Sequence, residues 1–341
     1  MSETEQLKQD LQQFRDDFRA LQQEVGRVIV GQQEVVDGTL AAMIAGGHVL
    51  LEGVPGLGKT MLVRTLADAL QLNFSRVQFT PDLMPADLIG TNVVEETADG
   101  RQFRFQHGPV FANIVLTDEI NRATPKTQSA LLEAMAEGSV TAGGSTMELP
   151  DPFLVLATQN PLEMEGTYPL PEAQLDRFFV KLLVEYPSAD DLQRILNRTT
   201  GTESATVNAV VDADRIRRMR ELSRQIPVSD NVQQYAVRLI LNSHPEQQNA
   251  PELVKRFVRY GSSPRGAQAL ILYARILAIL DERYHVACDD IDQAAVPVLR
   301  HRLMLNFEGQ AENVSVDHIL TDLIRSTESA GEQAAAAASA V

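Results

Sequence analysis

Eight consecutive residues have the types and spacing needed to bind a phosphate. Residues 53–60 read Gly-Val-Pro-Gly-Leu-Gly-Lys-Thr and fit the phosphate-loop pattern G-x-x-x-x-G-K-[ST]. In such a loop the backbone N–H groups point at phosphate oxygens, and the glycines allow a close approach that side chains would block. We expect Lys59 to reach the β- and γ-phosphates and the Thr60 hydroxyl to ligate Mg²⁺. A chance glycine-rich turn is the alternative, but the flanking sequence has the required strand and helix patterns.

Two adjacent acids, Asp118 and Glu119, supply a second part of this chemistry. They follow the apolar run Ile-Val-Leu-Thr at 114–117, which reads as a buried strand. Asp118 is expected to hold Mg²⁺ through its water shell. Glu119 is placed to polarise an attacking water as a general base. The alternative is a pair of exposed acids at a strand end, and it carries little weight with a phosphate loop upstream.

Three more polar residues are candidates with weaker signals. Asn160 follows a predicted strand, where its amide can orient the water or contact the γ-phosphate; it can equally be a turn residue before Pro161. Arg177 on its own reads as a surface salt-bridge residue. Arg265 lies at a predicted helix start, where the helix dipole disfavours a cation, and this hints at an anionic partner.

These residues need a parallel sheet whose strand ends meet at one edge. Apolar runs predict such strands at 49–51, 74–79, 113–118, 153–157 and 178–184. An Asp-Gly and a Gly-Gly pair predict hairpins near 91–105 and 138–149. From residue 188 to about 326 the periodicity is helical. The predicted fold class is therefore α/β, a phosphate-loop parallel-sheet domain with β-hairpin inserts, followed by an all-α domain.

Both ends of the chain differ from this core. Residues 3–25 predict a helix with an apolar stripe, which either forms a coiled coil with a partner or docks on its own domain; we favour docking. The tail is rich in alanine without an apolar face, which predicts disorder. The predicted domains are an N-terminal helix at 1–25, a nucleotide-binding domain at 26–187, a helical domain at 188–328 and a disordered tail at 329–341.

Composition limits the remaining possibilities. A chain of 341 residues is expected to form two domains, and its formal net charge of −16 argues against a surface that coats nucleic acid. Cys288 is the only cysteine, and the six histidines show no paired metal-ligand spacing. The N-terminus is polar, and no apolar run has the roughly 18 residues of a membrane span. We therefore expect a cytoplasmic protein without a membrane span.

Taken together, the motifs resemble those of the AAA+ ATPases, and within them the MoxR family of the helix-2-insert branch. The resemblance covers residues 20–327. It is carried by GVPGLGKT at 53–60, LTDEINRA at 116–123, ATQNP at 157–161, LPEAQLDRF at 170–178 and GSSPRG at 261–266. The two predicted hairpins match the inserts of that branch, and the all-α domain corresponds to its lid.

The resemblance implies a role for each candidate residue. Asp118 and Glu119 match the Walker B acids, and Asn160 matches sensor 1. Arg177 matches the arginine finger, ahead of Arg122, and Arg265 matches sensor 2. Gln78 lies near the glutamate-switch position without a clear match. The residues expected to contact ATP, including an adenine-pocket wall at Val30 that can equally be core, are Val30, Gly53, Val54, Pro55, Gly56, Leu57, Gly58, Lys59, Thr60 and Met61.

The resemblance also implies an assembly and a function. A trans-acting arginine makes hydrolysis depend on a homo-oligomer, expected to be a hexameric ring. Family members act as chaperone-like motors on protein clients, with partners that carry a von Willebrand A domain. The leading hypothesis is therefore Mg²⁺-dependent ATP hydrolysis that remodels or matures protein clients. A nucleotide-gated adaptor and a nucleic-acid motor are the alternatives, and the acidic charge argues against the second.

Overall fold

The computed structural model has two compact units. It describes residues 3–54, 56–97, 100–160, 166–200 and 206–339. The sheet unit comprises residues 12–177 and 182–219, and the helical unit comprises residues 1–11, 178–181 and 220–341. The sequence-predicted domain boundary at residue 187 lies inside the sheet unit.

Helices and strands alternate along the first two thirds of the chain. The helices there are α1 (Glu3–Gly26), α2 (Gln33–Ala45), α3 (Lys59–Ala69), α4 (Pro85–Ile89), α5 (Pro125–Glu137), α6 (Glu172–Leu175), α7 (Ala189–Thr199) and α8 (Ala213–Gln225). The strands are β1 (Val49–Glu52), β2 (Phe74–Gln78), β3 (Gly90–Thr97), β4 (Gly100–His107), β5 (Ile114–Asp118), β6 (Ser139–Ala142), β7 (Ser145–Glu148), β8 (Leu154–Gln159) and β9 (Val180–Leu183).

One five-stranded sheet organises the sheet unit, in the order β2-β5-β8-β1-β9. The pairs β2–β5, β5–β8 and β1–β8 are parallel. Strands β5 and β8 are almost entirely buried, as their continuous apolar runs predict for inner strands of a parallel sheet. Because these strands are parallel, their carboxyl ends meet at one edge. The predicted α/β fold with a parallel sheet is confirmed.

Two antiparallel hairpins are inserted between the sheet strands, as predicted. Strands β3 and β4 pair along their whole length, and β6 pairs with β7. A Cβ atom placed on Gly143, in the turn of the second hairpin, would lie 2.6 Å from the Asn92 side chain of the first. The two inserts therefore touch. Asp99, in the predicted turn of the first hairpin, lies outside the described residues.

The N-terminal helix docks on its own chain rather than offering its apolar stripe to a partner. Five of its six stripe residues are at most 1% exposed, namely Leu11, Phe14, Phe18, Leu21 and Val25, and the first, Leu7, is 37% exposed. Gln22 donates a hydrogen bond to Asp37 on α2 at 2.7 Å, and Arg215 pairs with Asp17. Burial of five large apolar side chains is favourable by several kcal/mol, which explains why the docked form is the stable one.

The helical unit contains elements that follow residue 225. They are α9 (Asp230–Asn242), α10 (Glu252–Phe257), α11 (Pro264–Leu280), α12 (Cys288–Leu299), α13 (Phe307–Ala311) and α14 (Val316–Ser339), with a small antiparallel pair, β10 (Val258–Tyr260) and β11 (Met304–Leu305). Helix α14 continues to Ser339, where the sequence predicted a disordered tail, because alanine has the highest helix propensity. No described helix has both the length and the hydropathy to cross a membrane.

A buried histidine should make the stability of this unit depend on pH. His301 is fully enclosed and its Nε2 lies 3.0 Å from the Phe178 carbonyl oxygen, to which it donates. Burial, aided by the charge of Arg302, holds the pKa of His301 well below its usual range. The folded chain therefore binds fewer protons than the unfolded chain just below the unfolded pKa of ~6.5. The free energy of unfolding should fall as the pH drops below that value.

We predict that His301→Gln, which keeps an N–H donor near the position of Nε2, removes this contribution. The difference in unfolding free energy between the wild type and the variant should shift by about 1.4 kcal/mol between about pH 7.5 and about pH 5.5. Urea unfolding at several pH values measures it. A difference that stays constant across this range would show that His301 accepts a proton in the folded chain.

Candidate active site

The phosphate loop connects the end of β1 to the start of α3. Gly56 and Gly58 have φ values of +86° and +75°, which side chains rarely adopt, and a Cβ atom on either would project into open space. Gly53 is needed for a different reason, because a Cβ atom there would lie 2.6 Å from the Val184 carbonyl oxygen. This loop has the backbone shape and the unobstructed inner surface that a phosphate chain requires. Pro55 lies outside the described residues.

Lys59 lies at the first position of α3 and turns back over the loop. Its Nζ donates to the carbonyl oxygen of Gly53 at 2.6 Å and to that of Val54 at 3.1 Å. Partial burial lowers the pKa of Lys59, and the negative charges of Asp118 and Glu119 oppose this shift. The two acids favour the protonated form of the half-buried Lys59 amine, which therefore remains positively charged for an anionic ligand.

Strand register brings the predicted polar residues to one level of the sheet edge. Gln78 on β2 pairs with Asp118 on β5, and Leu51 on β1 pairs with Thr158 on β8. Thr158 contacts both acids: its hydroxyl donates to Asp118 Oδ1 at 3.3 Å and accepts from the Glu119 N–H at 2.9 Å. One hydroxyl therefore fixes the two acids relative to each other. The sequence motif contained Thr158 but did not indicate this role.

Asp118 has a cationic partner that the sequence analysis missed. Arg76 Nε donates to Asp118 Oδ2 at 2.7 Å, and the Asp118 side chain is 11% exposed. The signal was present in β2, since Arg76 and Gln78 are two residues apart and lie on the same face of the strand. An Mg²⁺ ion at Asp118 would have to share this carboxylate with Arg76 or displace it.

Glu119 is held at the end of β5 by its backbone and by two side chains. Its φ of +56° turns the chain sharply after the strand, a conformation that costs a non-glycine residue of order 1–3 kcal/mol. Gln78 Nε2 donates to Glu119 Oε2 at 2.8 Å, and Arg122 Nη1 lies 3.1 Å from the same oxygen. Gln78, whose match was uncertain from the sequence, therefore contacts the predicted general base directly.

A cavity at this edge is lined by residues from the loop and from three strands. It is lined by Gly56, Gly58, Lys59, Thr60, Arg76, Gln78, Asp118, Glu119, Thr158, Gln159 and Asn160. Asn160, directly after β8, is buried and lines this cavity, and its role as sensor 1 stays a prediction. Val30 and Met61 are not among the residues that line it: Val30 is buried between α1 and α2, and Met61 is half-exposed on α3. Contact of these two residues with a nucleotide stays a prediction.

The two remaining predicted arginines lie elsewhere in the chain. Arg177 follows α6 in the sheet unit, and its Nη1 donates to the Leu132 carbonyl oxygen at 2.6 Å. Arg265 lies in the first turn of α11 in the helical unit, where its N–H is capped by Ser263 Oγ at 3.1 Å. Arg265 is exposed and Arg177 is half-buried, and the predicted roles of both residues toward a γ-phosphate remain predictions.

The donor set suits Mg²⁺ bound together with a nucleotide. Within the described ranges there is no cluster of three or more His, Cys, Asp or Glu side chains that would hold a metal by themselves. Mg²⁺ is commonly held by one or two protein oxygens, with water and phosphate oxygens completing the shell. Thr60 and Asp118, which line the same cavity, provide such a pair.

Comparisons with known proteins agree with this geometry. A family model described as "ATPase family associated with various cellular activities (AAA)" matches residues 48–180, and one described as "AAA lid domain" matches residues 250–323. Chaperone MoxR1 of Mycobacterium tuberculosis is 42% identical over 302 residues, which cover 89% of this chain and 79% of that protein. Protein YeaC of Bacillus subtilis is 43% identical over 303 residues, 88% of this chain and 91% of that one. A crystal structure of a Cytophaga hutchinsonii protein, 39% identical, superposes with a TM-score of 0.88 and covers 95% of this chain and 98% of that one.

The Arg76–Asp118 pair leads to a prediction about Mg²⁺ affinity. Arg76→Gln removes a competitor for the Asp118 carboxylate. We expect the Mg²⁺ concentration that gives half-maximal binding of a fluorescent ADP analogue to fall about fivefold. This factor corresponds to the loss of a half-exposed ion pair, which contributes ~1 kcal/mol. Arg64→Gln, on the exposed face of α3, makes the same charge change away from the cavity and should have no effect. A higher Mg²⁺ requirement in Arg76→Gln would mean that Arg76 assists binding instead of competing.

Proposed function

This chain is an ATPase of the MoxR family within the AAA ATPases, and on that premise we propose that it couples Mg²⁺-dependent ATP hydrolysis to the remodelling or maturation of protein clients. The observation that carries the proposal is the single cavity that Lys59, Asp118, Glu119 and Asn160 line together. A binding module needs only the phosphate loop. A general base and a polar sensor beside that loop are what turnover requires in addition.

Each side chain has a definite task in this proposal. The loop N–H groups and Lys59 bind the phosphates of ATP, and Asn160 orients the attacking water beside the γ-phosphate. Glu119 accepts the proton of that water, while Gln78 and Arg122 both contact its Oε2 atom. Mg²⁺, held by Thr60 and Asp118, would neutralise charge that develops on the phosphate oxygens.

Arg177 completes the site of a neighbouring protomer in this proposal. A cation at the transferred phosphoryl group is worth roughly 10³–10⁵ in rate in other nucleotidases. Arg122 is paired with the charged Glu119 of its own chain, whereas Arg177 donates to a neutral carbonyl oxygen, that of Leu132. Bonds to a charged acceptor are the stronger ones, so Arg177 is released more readily, which supports placing it first as the trans-acting finger. Hydrolysis then requires a ring of copies, which we expect to be hexameric.

The proposed clients are proteins. The relative named Chaperone MoxR1 acts, by that name, as a chaperone. A net charge of −16 disfavours a nucleic-acid motor, because binding to a phosphate backbone depends on cationic side chains. A von Willebrand A domain partner and a cytoplasmic location remain predictions from the family resemblance.

A nucleotide-gated adaptor is the second candidate function. Gln78 and Arg122 both engage the Glu119 carboxylate, an arrangement that also suits a site which binds ATP and rarely turns it over. In that case Lys59→Ala abolishes partner binding whereas Glu119→Gln does not. Equal partner binding by both variants would exclude nucleotide gating.

Replacement of the proposed base tests catalysis directly. Glu119→Gln keeps the shape and the hydrogen-bonding capacity of the side chain but removes its ability to accept a proton. The turnover rate should fall by about 10²–10⁴-fold while the affinity for a fluorescent ATP analogue stays unchanged. Glu221→Gln, on the exposed surface of α8, is the matched control and should retain the full rate. Undiminished turnover in Glu119→Gln would remove Glu119 from the mechanism.

The proposed trans role of Arg177 predicts a dependence on protein concentration. ATPase rate per protomer should rise steeply to a plateau as the protein assembles, and sizing of the same samples should show the ring at the plateau. Arg177→Ala should assemble but lose about 10³-fold or more of the rate. A monomeric sample with the full rate would show that one chain holds a complete site.

A further inference from the structure

Three consecutive residues after α12 reach the backbone of one short segment. Arg302 Nη2 donates to the Phe178 carbonyl oxygen at 2.6 Å, and its Nη1 donates to the Phe179 carbonyl oxygen at 3.1 Å. His301 Nε2 donates to the same Phe178 oxygen at 3.0 Å, and Arg300 Nη1 reaches the Lys181 oxygen at 3.3 Å. We call Arg300–Arg302 the carbonyl clamp. Every residue of the clamp and of the clamped segment belongs to the helical unit.

Two of the three clamp residues are buried, and burial makes their geometry strict. His301 and Arg302 are 4% and 6% exposed. A buried carbonyl oxygen that loses its donor is left with its full desolvation penalty, so the donors and acceptors stay together. The planar guanidinium of Arg302 donates to two successive carbonyls, which fixes the orientation of two successive peptide planes. A single apolar contact would leave these planes free to rotate.

The clamped segment begins one residue after Arg177. The bonds to the Phe178 oxygen fix the peptide plane between Phe178 and Phe179 and so hold the Phe178 Cα atom. The Arg177 Cα atom lies one trans peptide, about 3.8 Å, from that atom, and this restricts where its side chain starts. Arg302 also packs against the turn that carries Arg265: a Cβ atom on Gly266 would lie 3.2 Å from Arg302 Cδ. The Arg302 side chain thus approaches the turn that carries the predicted sensor 2 through its Cδ atom, and its guanidinium donates to the segment that follows the predicted finger.

We propose that His301 and Arg302 are positioning residues that set the backbone of Phe178 and Phe179, and through it the placement of Arg177 for catalysis in a neighbouring protomer. This inference rests on the proposed trans role of Arg177. The clamp residues themselves touch neither nucleotide nor water in the reaction. Their effect is on the finger that a protomer donates, and the phosphate loop and Glu119 of that same protomer remain competent.

Single variants of the full chain give the first readout. Arg302→Met keeps an unbranched apolar stem and removes the donors, and it should lower turnover by about 10–100-fold, the loss expected of a misplaced catalytic group. Affinity for a fluorescent ATP analogue should stay unchanged. Arg256→Met removes an arginine of the same unit that pairs with Glu308 and Glu312, and it should retain turnover. Circular dichroism and thermal unfolding check that each variant is folded.

His301 provides a second pair of variants if Arg302→Met does not fold. His301→Gln retains an N–H donor toward Phe178, and it should keep most of the turnover. His301→Leu lacks the donor and should lose turnover as Arg302→Met does. Equal turnover by the glutamine and leucine variants would overturn the role of this hydrogen bond in positioning.

Mixing of variants separates a misplaced finger from a damaged site. Consider a ring assembled from a 1:1 mixture of Arg302→Met and Glu119→Gln protomers. A Glu119→Gln protomer can supply an intact Arg177 to a neighbouring Arg302→Met protomer, whose phosphate loop and Glu119 are intact. Random assembly places such a pair at about a quarter of the sites, so roughly a quarter of the wild-type rate should return. A parallel mixture of Arg177→Ala and Glu119→Gln should recover to the same extent.

The two mixtures distinguish the possible failures. Recovery in both supports the positioning role. Recovery only in the Arg177→Ala mixture overturns it, because Arg302 would then be needed within its own site or for folding. Lack of recovery in the Arg177→Ala mixture would show that Arg177 does not act in trans, and the proposed positioning role would then be wrong as well. A wild-type rate for Arg302→Met alone also overturns the inference.

Discussion

The register of the parallel strands is the constraint on which the active site depends. Gln78 lies beside Asp118 across β2 and β5, and Thr158 lies beside the end of β1. A shift of one residue in either pairing would turn these side chains to the opposite face of the sheet. The apolar side chains of β5 and β8 are buried on both faces of the sheet and prevent that shift. The chemistry at the edge is therefore fixed by the packing of residues that take no part in it.

The positive and negative side chains of the cavity balance each other, which favours the exchange of their present partners for a ligand's charges. Lys59 and Arg76 are positive, and Asp118 and Glu119 are negative. In the proposed mechanism each ion that arrives with the substrate has a counterpart already engaged in the chain: phosphate oxygens would meet Lys59, and Mg²⁺ would meet Asp118. Binding therefore replaces existing pairs, and buried charges are not left without compensation. Because Arg76 and Gln78 occupy one face of β2, that strand controls how readily both acids change partners.

The features that were predicted correctly are those encoded by short, continuous stretches of sequence. The glycine-rich loop, the Asp118-Glu119 pair and the two hairpins are each encoded within a few residues, and the structure contains them at nearly the predicted positions. Contacts across strands, such as Arg76 with Asp118, were not predicted, because they depend on a register that periodicity alone leaves open. The helical tail to Ser339 was missed for the opposite reason: local helix propensity was present, but the absence of an apolar face was taken to indicate disorder.

Communication between the parts of such an ATPase needs elements that move as a whole. Arg302 is buried against the turn that contains Gly266 and donates to two carbonyl oxygens of the segment after Arg177. Close-packed groups of this kind transmit a displacement because the interior has little free volume to absorb it. A movement of the α11 start would therefore shift the peptide plane at Phe178. Under the proposed roles of Arg265 and Arg177, the same residue links the turn that senses the nucleotide to the finger that a neighbouring protomer receives.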